Sequence, residues 1–319
     1  MRCSQEIWTI KNITLEEALK KANSDPRVKA LHWYKGEGGD GRINGVSGWY
    51  QGAGGVIGSV VNNLWDTIPI NFKIDTKFSL CIPTMDRYDN FLQYYLPKYL
   101  KMDLINEIVI SDENGNDVKK IKKNIKNLRK FKFNINNEKK GAFLNKIKVC
   151  KLAKNNWIVL MDSDNFADNN YFNTAYNYIK NNICDSQKNV ILAPCYAKPN
   201  FNYSNLAGIC FKKENFKDIK DIAKKNTTFM NTGNYVLNKY LIDNLNLHDK
   251  DMSLINNPCD VIFLNTLLFE QLNLEMHVVP KLFYDHVLHD KSFYKTTAKK
   301  TKNEINKIHE RYYNLIDNI

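Results

Sequence analysis

Trp157-Ile158-Val159-Leu160-Met161-Asp162-Ser163-Asp164-Asn165 is a run of five apolar residues that ends in two aspartates spaced i, i+2. A short continuous apolar run of this kind reads as a strand buried on both faces inside a parallel sheet. Alternate side chains of an extended chain point the same way, so Asp162 and Asp164 converge where the strand stops. In open α/β sheets, ligands bind beyond the carboxyl ends of the strands. Two carboxylates there suit a hard divalent cation, and that cation suits a phosphate.

The flanking sequence repeats the pattern. Phe78-Ser79-Leu80-Cys81-Ile82 reads as an apolar strand with Pro83-Thr84-Met85-Asp86-Arg87 as its exit loop, and a helix is expected over residues 90–100. A second strand over residues 105–110 ends in Ser111-Asp112-Glu113-Asn114-Gly115. Val118, Ile121, Ile125 and Leu128 mark one face of a basic amphipathic helix, and residues 145–153 form another that leads into the aspartate-bearing strand. Strands alternating with helices imply βαβ units and a parallel sheet. Ile305, Ile308, Tyr312 and Leu315 lie at helical spacing and predict a closing amphipathic helix.

Composition divides the chain. Ten of the 14 glycines and four of the five tryptophans fall within residues 1–65. This predicts a small α+β module over residues 1–74, ahead of an α/β domain over 75–319. Within the module, residues 14–23 read as a helix capped by Thr14, Val28-Lys29-Ala30-Leu31-His32-Trp33-Tyr34 as a strand, and the glycine-rich residues 36–58 as tight turns or close backbone approaches. Trp33, Trp49 and Tyr50 are candidate stacking platforms for a ligand.

The net charge of +12 would suit an anionic partner such as nucleic acid, phosphate or a membrane surface. Richness in Asn, Lys and Ile is also what a low-GC genome produces, so the charge is discounted and no nucleic-acid partner is expected. No apolar run approaches the roughly 20 residues of a membrane span. Met1-Arg2-Cys3-Ser4-Gln5-Glu6 leads into no apolar signal region, so a cytoplasmic location is expected. Seven cysteines without a CxxC pair fit reduced thiols there, not a disulfide framework or a zinc site.

Three strand ends thus carry polar groups: Thr84 with Arg87, Asp112, and the Asp162/Asp164 pair. In this arrangement residues 78 to about 290 resemble the GT-A-type glycosyltransferases, close in pattern to the family 2 enzymes. Ser79-Leu80-Cys81-Ile82-Pro83-Thr84 resembles that family's "SVIIPT" strand. Glu107-Ile108-Val109-Ile110-Ser111-Asp112-Glu113-Asn114-Gly115-Asn116-Asp117 resembles its "EIIVVDDGSTD" segment. Gly141 with Asn145-Lys146 is similar to its "G…ARN" helix, and Asp162-Ser163-Asp164 to its "DxD" motif.

The resemblance implies a GT-A fold, a nucleotide-sugar donor, with a UDP-sugar the expected one, and Mn2+ or Mg2+ as cofactor. It implies that Thr84 and Arg87 line the nucleotide pocket, with Ser163 and Lys146 also on the donor, and that Asp112 accepts a hydrogen bond from the base. Asp162 would face the ribose or the metal, and Asp164 would ligate the metal. Phe229-Met230-Asn231-Thr232-Gly233-Asn234 resembles the sugar-contacting segment, where Gly233 lets backbone approach the donor beside Asn234. Asp260, after Cys259, stands in the position of the family's "ED" catalytic base. His286 and His289 in Tyr284-Asp285-His286-Val287-Leu288-His289 are the candidates for a further metal ligand.

The chemistry asks for these residue types. A leaving nucleoside diphosphate carries negative charge that a cation and basic groups must neutralise. An acceptor hydroxyl, on a glycan, a protein or a small molecule, needs a carboxylate base, which implies inversion if Asp260 supplies it. An EF-hand is excluded because Phe166 and Ala167 stand where an oxygen ligand and a glycine are required. A nucleotidyltransferase is the alternative enzyme, although residues 83–87 lack the Gly-rich loop it would use. A carbohydrate-binding protein with a degenerate transferase domain is the non-enzymatic alternative, and a homo-oligomer is compatible with either.

Overall fold

The computed structural model describes residues 2–13, 15–24, 28, 30–34, 48–58, 65–69, 76–184, 186–290 and 297–317. Contacts divide the chain into two units, Met1–Asp75 with Asn182–Gln187, and Thr76–Asn181 with Lys188–Ile319.

The first unit contains β1 (Arg2–Ile13), α1 (Leu15–Ser24), β2 (Ala30–Tyr34), β3 (Gly48–Gly58) and β4 (Trp65–Pro69). The strands form one antiparallel sheet in the order β1-β3-β2-β4. The register of β1 against β3 shifts at three points, as it does where a strand bulges and twists. On α1, Ala18 and Ala22 are buried one turn apart while Glu17, Lys20 and Lys21 are exposed. The glycine-rich stretch expected to form turns is a strand from Gly48 onward. Thr14 and residues 36–47 lie outside the described residues.

In the second unit, β5 (Phe78–Thr84), α2 (Gln93–Tyr99), β6 (Ile105–Asp112), α3 (Asn116–Asn124), β7 (Phe131–Ile135), α4 (Gly141–Lys151) and β8 (Trp157–Leu160) alternate strand with helix. There follow α5 (Asn169–Asn182), β9 (Val190–Lys198), β10 (Phe201–Asn202), β11 (Cys210–Phe211), α6 (Lys220–Lys225), α7 (Thr227–Met230), β12 (Val236–Asn238) and α8 (Lys239–Asp243). The unit closes with α9 (Asp260–Leu272), β13 (Glu275–Asp285) and α10 (Lys302–Asp317). The sheet order is β11-β13-β9-β12-β8-β5-β6-β7, with β10 on β9. The strands from β8 to β7 are parallel, β12 runs against both β8 and β9, and β13 rejoins β9 in parallel. Six of the nine strands share one direction, so the expected mainly parallel α/β sheet is present.

Alternation along the strands assigns the two faces. Cys81, Val109, Ile158 and Leu160 pack with Phe143, Ile147 and Cys150 of α4 and with much of α9. Phe78, three residues from Cys81, points to the opposite face, where its ring meets Phe172 of α5 at 5.9 Å. Each fully buried aliphatic or aromatic side chain contributes roughly 1.5–3 kcal/mol, which is why every residue of β8 can be apolar.

Local differences from the periodicity have identifiable causes. The expected single helix over residues 90–100 begins as a wide turn, Leu92 N–H donating to Arg87 O at 3.2 Å, before α2 starts. The basic helix α3 stops at Asn124, whose side-chain amide turns back onto Lys120 O at 2.9 Å, so Leu128 falls beyond it. The C-terminal helix α10 buries Ile308 and Tyr312, with Ile305 and Leu315 packed at the margin of the core, as its spacing predicts. Among the described residues no helix is long and apolar enough to cross a membrane.

Arg311 pins α10 to the body. Its guanidinium meets Asp251 at 2.8 Å and grips Glu270 of α9 through two nitrogens. Asp251 has no exposed surface. Its burial works against ionisation, but Arg311 and the His248 N–H prevail and hold its pKa below the ordinary carboxylate range. Arg311→Ala is expected to lower unfolding stability by about 3 kcal/mol, because a buried carboxylate loses its counter-ion. Urea denaturation would show this as a lower midpoint at unchanged slope. Because the folded-state pKa is depressed, this contribution is complete above the unfolded value of about 3.9. It fades as pH falls through the lower folded value, so the gap between wild type and Arg311→Ala narrows in acid.

Candidate functional site

The carboxyl end of β8 is held from two sides. Asp162 N–H donates to Asn234 Oδ1 at 2.7 Å, and Asn234 Nδ2 donates to Asp162 Oδ2 at 3.3 Å. Asn234 is fixed in turn, its carbonyl accepting from Tyr171 Oη at 3.0 Å. Asn234, expected beside the donor, therefore positions Asp162. Ser163, between the two aspartates, is buried.

The residues that follow bring in a distant segment. Phe166 and Asp285 exchange backbone hydrogen bonds at 3.0 and 2.7 Å, and Val287 N–H donates to Asn165 Oδ1 at 3.0 Å. This clip sets His289 Nε2 2.8 Å from Asp164 Oδ2, with the Phe91 ring tilted against the imidazole at a centroid distance of 5.4 Å. The two candidate histidines thereby part company. His286 turns to Asn200, whose Nδ2 lies 2.9 Å from both His286 Nδ1 and His286 O. Burial pushes the His286 pKa down, against the opposing pull of Asp164 and Asp162. Nδ1 of His286 is thus engaged by the Asn200 amide, and His289 is the histidine that reaches Asp164.

Lys146 of α4 occupies the space between the aspartate pair and α9. Its ammonium is 2.8 Å from Asp260 Oδ2 and 3.4 Å from Asp162 Oδ1. Burial pulls its pKa down, but the two carboxylates prevail and hold it above the ordinary lysine range. Asp260 opens α9 and is itself buried. The expected donor contact and the expected base are therefore bonded to each other, a pairing across 114 residues that no local pattern announces.

At the ends of β5 and β6 the polar groups are largely consumed by the fold. Asp112 is fully buried, with Oδ2 accepting from Val118 N–H at 2.9 Å and Oδ1 from Asn114 N–H at 3.2 Å. Between them Gly115 adopts φ +81°, a left-handed conformation that side chains rarely tolerate. Thr84 Oγ1 donates to Asp117, and Asp117 also accepts from Arg87 N–H at 2.9 Å and Tyr88 N–H at 2.8 Å. Asp117, without a role in the sequence reading, is thus the carboxylate that shapes the exit loop of β5. Glu113 was likewise missed. Its Oε2 accepts from Lys140 N–H at 2.7 Å, while Oε1 is the only buried carboxylate oxygen without a partner among the described residues. An orphaned acceptor at a strand end is the kind of group a ligand N–H satisfies.

Gly233 packs closely against α9. A Cβ built there would lie 2.6 Å from Val261 Cγ2, so the close approach it permits is to α9. Nearby, Asn231 accepts from Ile262 N–H at 3.3 Å and donates to Pro258 O at 3.1 Å, fixing the start of the helix that carries Asp260.

The four expected metal-ligating residues do not form one cluster. Among the described residues, no three of their donor atoms lie within 4.8 Å of one another. Asp164 Oδ2 and His289 Nε2 alone are paired, and their 2.8 Å separation matches two adjacent ligands on a single cation. A carboxylate oxygen with an imidazole nitrogen suits Mn2+ and accepts Mg2+ less readily.

No family model and no curated protein sequence matches the chain. Among solved structures it is similar to residues 1–349 of S. aureus TarS in complex with UDP-GlcNAc. That match has a TM-score of 0.51 and 12% identity, over 74% of this chain and 66% of the TarS chain. The same fragment in complex with UDP gives a TM-score of 0.49 at 12% identity, over 74% and 64% of the two chains. The fold is GT-A-like. The chain spans just under two thirds of the TarS fragment's length.

Gly233→Ala is expected to destabilise the protein by about 1–3 kcal/mol through overpacking against Val261. In a double-mutant cycle Val261→Ala should recover part of that loss, giving a coupling of about 1 kcal/mol by thermal or chemical denaturation. Additive effects would place the strain elsewhere.

Proposed function

We propose that the chain transfers a sugar from a nucleotide-sugar donor, a UDP-sugar, to an acceptor hydroxyl with inversion at the anomeric carbon. The observation that carries this is the convergence of Asp162, Asp164, Lys146, Asp260 and His289 where the parallel strands end. The UDP-GlcNAc complex of the similar TarS fragment makes that compound the first donor to test.

Asp164 and His289 would hold the cation. When bound, the cation supplies positive charge to the leaving diphosphate. The protein's own groups provide the rest. Glu113 Oε1, unpartnered in the fold, is the acceptor for an N–H of the base, a role that passes to it from Asp112 because Asp112 is occupied by backbone amides. Lys146 places a permanent positive charge beside Asp162, on the side where the phosphates collect. Asp260 receives the proton of the attacking hydroxyl, and Lys146 fixes its orientation through Oδ2. Asn234 and the Tyr171 hydroxyl keep the strand end in place.

The test is UDP release and sugar transfer with Mn2+. Asp164→Ala and His289→Ala should lose cation-dependent turnover, and undiminished turnover in either would remove that residue from the metal site. Asp260→Asn should lower transfer by roughly 10²–10⁴-fold while donor affinity is kept. Glu113→Gln should weaken UDP-sugar binding about tenfold, the loss of one charge-assisted hydrogen bond.

A further inference from the structure

Cys210, Glu275 and His277 meet at the far edge of the larger sheet, a place the reaction above does not use. The strands dictate the meeting. Cys210 of β11 lies directly opposite His277 of β13 in the antiparallel register. Glu275 is two residues before His277, so both project from the same face. Cys210 Sγ is 3.7 Å from His277 Nε2, and Nε2 is 3.6 Å from Glu275 Oε2. All three donor atoms lie within 4.8 Å of one another, and each residue is partly exposed.

These separations are those of ligands around one small cation. With Zn–S of about 2.3 Å and Zn–N and Zn–O of about 2.0–2.1 Å, the edges of a tetrahedron are about 3.3–3.6 Å. The Cys210–His277 and His277–Glu275 separations are within a few tenths of an ångström of that, and Cys210 and Glu275 lie within 4.8 Å of each other. The imidazole is already oriented for it. Its other nitrogen, Nδ1, lies 3.2 Å from the hydroxyl of Tyr178 on α5, leaving Nε2 toward Cys210 and Glu275.

We infer that Cys210, Glu275 and His277 form a binding site for a zinc-class divalent cation, with a fourth position open to water or an external ligand. A mixed S, N, O donor set favours Zn2+ over Mg2+ or Ca2+. Binding replaces the thiol proton of Cys210, so one proton leaves to solvent for each cation taken up. The cation ties β11, a two-residue strand at the sheet edge, to β13. The site is independent of the strand-end carboxylates, since His277 and Asp285 pair with Leu192 and Lys198 of β9, six residues apart, about 20 Å along a strand.

The test uses the full chain, stripped with chelator and titrated with Co2+ and then Zn2+. One equivalent of Co2+ should produce a thiolate-to-cobalt charge-transfer band in the near ultraviolet, which Zn2+ displaces. The band should persist in Asp164→Ala and vanish in Cys210→Ser and His277→Gln. Glu275→Gln, a same-shape change at a partly exposed position, should lower cobalt affinity at least tenfold. Absence of the band in the wild type, its survival in Cys210→Ser, or unchanged affinity in Glu275→Gln would each overturn the site.

Discussion

A single ammonium group organises the larger unit. Lys146 is buried between Asp162 and Asp260, and a buried charge is tolerated only where opposite charges and hydrogen bonds replace its water. Meeting that condition forces three remote elements together: α4, the end of β8 and the start of α9. The remaining polar groups serve the same end. Asn234 holds Asp162, Asn231 holds the start of α9, and Gly233 between them lets Val261 close in. In the proposed reaction, one side of this bridge faces the donor and the other faces the acceptor. Removing Lys146 would leave the buried Asp260 and the partly exposed Asp162 without their shared cation, so the bridge is structural before it is catalytic.

A second constraint acts beyond the strand end. Asn165 and Phe166 bind the backbone of Asp285 and Val287, and with the His286 N–H bond to Lys198 O this sets which histidine reaches Asp164. His289 arrives there, while His286, three residues earlier, is turned to Asn200. The aromatic rings of Phe91, Tyr95, Phe166 and Tyr99 pack beside this clip at centroid distances of 5.2–6.4 Å. Asp164 and His289 are consequently preset as neighbours, an arrangement that lowers the reorganisation a cation would require.

Much of this was readable from the chain because burial imposes periodicity. The all-apolar strand before Asp162, the alternation that follows Phe78 and the Ile305–Leu315 face of the closing helix each follow from which side chains avoid water. The polar pairings were not readable, for a physical reason. Lys146 and Asp260, or Asp164 and His289, are more than 100 residues apart, and nothing in local spacing encodes a partner across that distance. Nothing local to Asp117 announces its partners, yet it receives three donors, from Thr84, Arg87 and Tyr88. β12, three residues long and antiparallel among parallel neighbours, is too short to show a period. The Cys210, Glu275 and His277 cluster escaped the sequence because its ligand spacing is made by a cross-strand register, not by a motif.

The most direct measurement is a calorimetric titration of UDP-GlcNAc into the full chain, with Mn2+ and again with chelator. A nucleotide-sugar site built on Asp164 and His289 predicts saturable one-to-one binding that requires the cation and disappears in Asp164→Ala. Failure to bind UDP-GlcNAc, UDP or other UDP-sugars under either condition would contradict it, as would equal affinity in the presence of chelator.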